Sequence, residues 1–127
     1  MSDWGFYTEA ITRLTPLLDM EYQLGTIVHA KFPFTASTRN PEGKHYAIVS
    51  QRLTEQTVEL LLVSSIPGLA SRVGMDCVEI ESSDDVPFTR TCYIKCDQPF
   101  QFQIENLDVV YAGLLPRITV SEIEALL

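Results

Sequence analysis

The stretch Gly25-Thr26-Ile27-Val28-His29-Ala30-Lys31-Phe32-Pro33-Phe34 sets the fold class of this chain. Val28, Ala30, Phe32 and Phe34 share one face of an extended backbone, and Ile27, His29 and Lys31 share the other. Such period-two alternation predicts a half-buried strand, which Pro33 ends because it cannot donate to a ladder. Upstream the period changes. Trp4, Tyr7, Ile11, Leu14 and Leu18 recur at spacings of three and four, predicting a helix over 3–15 that Ser2 caps and Pro16 breaks. The chain thus divides into an N-terminal helical extension, 1–24, and a β domain, 25–127.

Downstream of the first strand, 35–43 is polar and rich in turn formers, a loop long enough to carry function. Tyr46–Val49 and Val58–Val63 are short branched-chain runs that predict buried strands, the second ended by Ile66-Pro67-Gly68. Val78–Glu81, Thr91–Cys96 and Phe100–Ile104 alternate, and Asp108–Tyr111 is a candidate last strand. Within Thr91–Cys96, Cys92, Ile94 and Cys96 share one face, and Tyr93 and Lys95 the other. Thr119 and Glu122 have capping-box spacing ahead of a helix whose apolar face holds Val120, Ile123 and Leu127, with Leu126 beside them. Many short strands without crossover helices predict a mainly β fold, a small antiparallel barrel with a helix at each end.

Composition narrows the function classes. With 127 residues, 46% hydrophobic and 20% charged, the chain can bury a core without metal or disulfide. No apolar run is long enough to span a bilayer, and the acidic, interrupted first twenty residues do not resemble a signal peptide. Three cysteines, an odd number, suit a reducing compartment, so a soluble cytoplasmic protein is expected. The net charge of −8 excludes a protein that coats nucleic acid through overall basicity. The distribution is uneven, however. Residues 25–51 carry Lys31, Arg39 and Lys44 against Glu42, and both histidines, His29 and His45, fall there too. A polyanion would be met in that segment.

Several chemistries are unsupported. Cys92 and Cys96 on one strand stand roughly 13 Å apart, too far to share a zinc ion, so no metal site and no cofactor is expected. There is neither a phosphate-cradling glycine loop nor a Gly-x-Ser-x-Gly elbow. What remains is the loop 35–45 and the strand ends after it. His45 can exchange protons at neutral pH and Lys44 can neutralise a phosphate. Ser64 and Ser65 end a strand, while Arg90, Lys95 and the Asp97-Gln98 pair come from a third region.

The order of these motifs resembles the MazF/PemK-like toxin ribonucleases, whose barrel is of the CcdB/Kid type. Gly25–Phe34 is similar to their opening strand, Gly43-Lys44-His45-Tyr46-Ala47-Ile48-Val49-Ser50 to their Gly-Lys/His-Arg-Pro strand, and Leu61–Ser65 to the strand ending in Thr or Ser. Thr91–Gln98 resembles their stretch ending in Asp-Gln, and Ala112–Leu127 their closing turn and helix. The resemblance covers residues 25–127. It implies an SH3-like barrel, a homodimer, and metal-independent cleavage of single-stranded RNA leaving a cyclic phosphate and a 5′-hydroxyl. It also implies a cognate antitoxin protein as partner. Carried over by position, the catalytic residues are His45, where the family has arginine, and Ser64. Arg39, Lys44, Ser65, Arg90, Lys95 and Gln98 are then the RNA contacts. Tyr46 stands where the family has proline. Histidine lacks arginine's permanent charge and bidentate grip on phosphate. Two alternatives therefore stand beside catalysis: a catalytically silent barrel that binds a protein, as gyrase-poisoning relatives of the fold do, and a structural dimer module.

Overall fold

The computed structural model describes residues 22–84 and 86–127, and the helix expected over 3–15 lies outside them. Seven antiparallel strands form one sheet: β1 (Thr26–Lys31), β2 (Lys44–Arg52), β3 (Thr57–Ser64), β4 (Cys77–Ile80), β5 (Cys92–Lys95), β6 (Phe100–Gln103) and β7 (Leu107–Leu114). A C-terminal helix, α1 (Arg117–Leu126), follows and packs against β4. The strand order is β4-β5-β3-β2-β1-β7, with β6 on β3. Among the described residues no pairing joins β4 to β7, so the sheet is not closed.

Three strands make the centre. β1 pairs with β2 from Ile27↔Ile48 to Lys31↔Lys44, and β2 with β3 from Ala47↔Leu62 to Arg52↔Val58. The register shifts between Val49 and Gln51, a bulge that buries Ser50, whose hydroxyl donates to the Glu59 carboxylate at 2.7 Å. The far edge of β3 is shared: Thr57–Leu60 pair with β6, and Val63 and Ser64 pair with Ile94 and Tyr93 of β5.

The expectation of a half-buried first strand is corrected by this arrangement. Ile27 and Val28 are both buried, as are Ile48 and Val49, and Leu60, Leu61 and Leu62, because apolar side chains cover both faces of the sheet. One core gathers Ile27, Ile48, Leu61, Val78, Ile94 and Ile123; the other gathers Val28, Phe32, Val49, Val58 and Leu60. Continuous apolar runs, rather than alternation, are what such two-sided burial selects. Tyr93 is buried for the same reason, like its neighbours Cys92 and Ile94.

Two boundaries also differ from expectation. The first strand stops at Lys31, and Pro33–Thr35 form a single 3-10 turn. Phe34 is accordingly 67% exposed, its ring resting on Phe32 and Phe100 at centroid distances of 6.0 and 5.1 Å. The helix starts at Arg117 after Pro116, with no side-chain cap, so Thr119 is a buried helical residue and not a capping one. Ile123 is fully buried on the helix's inner face, with Val120 and Leu126 packed beside it, whereas Leu127 is exposed.

Candidate functional site

The polar loop predicted between the first two strands is tightly organised. Gly43 has a φ of +65°, and a Cβ there would meet the Phe32 carbonyl oxygen at 2.2 Å. Only glycine allows that approach, which lets the Phe32 amide donate to the Gly43 carbonyl at 2.7 Å. One residue on, the Asn40 side chain accepts from the Lys44 amide at 3.0 Å and donates to the Lys44 carbonyl at 2.8 Å. The start of β2 is therefore held on both sides. The Lys44 side chain is held as well: the Glu42 carboxylate lies 3.0 Å from the Lys44 ammonium and 3.4 Å from that of Lys31. The hydrogen bond from Lys44, then that from Lys31, holds the Glu42 carboxyl below its usual range, and Glu42 in turn raises Lys44.

Strand alternation separates the two histidines. His45 shares a face with Ala30 and Phe32; its ring lies edge-on to Phe32 at 6.2 Å, and its Nε2 is 2.9 Å from the Thr35 hydroxyl. That hydroxyl spends its one proton on the Phe32 carbonyl at 2.7 Å, so it must accept from His45. The neutral His45 ring therefore carries its proton on Nε2 and has a free lone pair on Nδ1. Burial, and secondarily the charge of His29, lowers its pKa, which favours this neutral form. His29, opposite Tyr46 in the β1–β2 ladder, shares the other face. Its ring stands edge-on to Tyr46 at 5.2 Å, and its Nδ1 is 3.6 Å from the Asp108 carboxylate on β7.

A pocket of about 310 Å³ opens at this end of the sheet. It is lined by five of the residues predicted from sequence: Lys44, His45, Ser64, Ser65 and Arg90. Ser64 arrives there because β3 runs antiparallel to β2. Two residues beyond the pair Ala47↔Leu62 the strands reach His45 and Ser64. The Ser64 oxygen accepts from the Ile66 amide at 3.3 Å, so its proton remains available to a ligand. Arg39, Lys95 and Gln98 do not line the pocket. Arg39 and Gln98 are exposed in bends, and Lys95 ends β5 opposite Cys77.

Other lining residues were not picked out by sequence as site residues, among them His29, Tyr46, Phe88 and Thr89. Tyr46 and Phe88 form an edge-on aromatic pair at 5.1 Å that walls the pocket. For His29 a signal existed, its place in the cationic segment 25–51, whereas its facing of Tyr46 comes from the β1–β2 register. Cys92 also lines the pocket, but burial raises its thiol pKa, as it does for Cys77 and, to about 11, for Cys96. Neutral thiols are poor nucleophiles. All three cysteines are free and buried, and among the described residues no group of three or more His, Cys, Asp or Glu could hold a metal ion. No helix among the described residues is long and apolar enough to cross a membrane.

The class these features define is a mainly β domain with a cationic, imidazole- and hydroxyl-lined pocket at the end of its central strands. In comparisons with known proteins, no family model matches the chain and no curated protein matches it significantly.

Proposed function

We propose that the protein is a metal-independent endoribonuclease of the MazF/PemK type, the toxin of a toxin–antitoxin pair acting on single-stranded RNA in the cytoplasm. On this reading the seven-stranded sheet is a form of that family's SH3-like barrel, and the chain works as a homodimer restrained by an antitoxin. One observation carries the proposal: a single pocket gathers His45, Lys44, Ser64, Ser65 and Arg90 from sequence regions centred on residues 45, 64 and 90.

Those groups suit phosphodiester transesterification. The Nδ1 lone pair of His45 takes the proton from the 2′-hydroxyl as its oxygen attacks phosphorus. Lys44 and Arg90 balance the charge on the non-bridging oxygens, and Ser64 donates a hydrogen bond to one of them. The 5′ oxygen leaves, giving a cyclic phosphate and a 5′-hydroxyl.

The test uses purified protein, EDTA and a single-stranded RNA of mixed sequence. Cleavage to fragments with 5′-hydroxyl ends is expected. His45→Ala should slow it by ~10²–10⁴-fold and Ser64→Ala by ~10²–10³-fold. RNA left intact by excess protein overturns the proposal. It would favour the second reading, a catalytically silent module that binds a protein partner. The pairing of Lys44 with Glu42 speaks for that alternative, since it occupies a cation that a phosphate needs.

A further inference from the structure

We infer that His29, oriented by Asp108, is a second proton-transfer group of this pocket, the acid that protonates the departing 5′ oxygen. The inference rests on the RNA-cleavage reading and adds a residue to it.

Three observations support it. First, His29 lines the same pocket as His45 but from the opposite face of the β1–β2 ribbon. The ladder pairs His29 with Tyr46 and Ala30 with His45, so the two imidazoles are neighbours in register and opposite in direction. A phosphodiester undergoing displacement needs both a base and an acid, and this pocket has both rings in its wall. Second, the His29 ring is held. Tyr46 stands edge-on to it at 5.2 Å, and the Asp108 carboxylate is 3.6 Å from Nδ1. That contact orients the ring through Nδ1. Third, Asp108 engages Nδ1, so Nε2 is the nitrogen through which the ring would act on a ligand. His45 is the reverse case, with Nε2 committed to Thr35 and Nδ1 left as acceptor. The two rings are thus anchored through different nitrogens, Nδ1 in His29 and Nε2 in His45.

The step balances. The 2′-hydroxyl proton passes to Nδ1 of His45 while the O2′–P bond forms. The P–O5′ bond breaks, its electron pair stays on O5′, and that oxygen takes the proton from Nε2 of His29. His45 ends protonated and His29 neutral, and exchange with water restores both. Asp108 touches no reacting atom and is a positioning residue.

The experiment compares an ordinary oligoribonucleotide with one carrying sulfur at the bridging 5′ position, because a thiolate leaves without needing a proton. The full chain is used, with folding of each variant checked by thermal melting. His29→Ala should cut the rate on the ordinary linkage by ~10²-fold or more, yet cleave the sulfur linkage within ~10-fold of the unaltered protein. His29→Gln serves if the alanine variant does not fold. Asp108→Asn should show the same rescue at smaller amplitude. His45→Ala should be slow on both linkages, since it acts before the bond breaks. Equal slowing of His29→Ala on both linkages, or no slowing on either, overturns the acid assignment while leaving RNA cleavage standing. If the unaltered protein cleaves neither linkage, the RNA-cleavage reading falls and this inference with it.

Discussion

Glu42 is one carboxylate placed between two lysines, and both are on the face of β1 and β2 that carries His29 and Tyr46. A phosphate approaching Lys44 must compete with it. Glu42→Gln should therefore tighten binding of single-stranded RNA and steepen its salt dependence, the slope of log Kd against log salt rising by ~0.7 for each phosphate that the freed lysines neutralise. Filter binding or fluorescence anisotropy at several salt concentrations checks this. His45 carries a different prediction. Its folded pKa lies below the ordinary 6.5, chiefly through burial. As pH falls the unfolded chain takes up this proton first, so stability declines below pH 6.5 and levels off only once the folded ring titrates. His45→Gln should remove that contribution, which urea midpoints measured from pH 7.5 to 5 will reveal as a flatter curve.

At the scale of elements, the turn into β2 depends on Gly43. Replacing it with alanine forces a left-handed φ on a residue with a Cβ, a cost of about 1–2 kcal/mol, to which the clash with the Phe32 carbonyl adds. The loss should appear both in urea denaturation and in RNA affinity, since Lys44 follows directly. Ile123→Ala, on the inner face of α1, should cost about 2–5 kcal/mol. Local patterns located most elements: the alternation in Thr26–Lys31, the branched-chain runs of β2 and β3, and the apolar face of α1 were all legible in the residues. The helix start was not. Thr119 and Glu122 have the spacing of a capping box, but Pro116 already sets the first turn and carries Thr119 inward beneath the helix. His45 and Ser64 were brought together by a hairpin, a short-range event that spacing can anticipate. The contact of His29 with Asp108 depends instead on β7 returning to β1 across most of the domain, and no local pattern encodes that.

For the whole molecule, two-sided burial was hidden by the alternation of the first strand and hinted at only by the contiguous Leu60–Leu61–Leu62–Val63. The cysteines report on it. Cys77, Cys92 and Cys96 are buried with raised thiol pKa values, so a disulfide reagent at pH 8 should label none of them quickly in the folded protein and all three in urea. Labelling that tracks global unfolding confirms a single cooperative unit; early reaction of one thiol would reveal a separately opening part. The charge excess was legible from the start, and so was its uneven spread. The placing of β4 and β7 at opposite ends of the strand order was not, because strand counts say nothing about which edges meet.

The shared edge of β3 has a consequence during synthesis. Its Thr57–Ser64 backbone awaits partners that are translated later, Cys92–Lys95 and Phe100–Gln103. With ~40 residues to be added between Ser64 and the end of β6, at ~5–20 residues per second, a ribosome leaves that ribbon without its cover for about 2–8 s. Nascent chains of this protein should therefore attract holdase chaperones over that interval, and slowing translation there should raise the insoluble fraction.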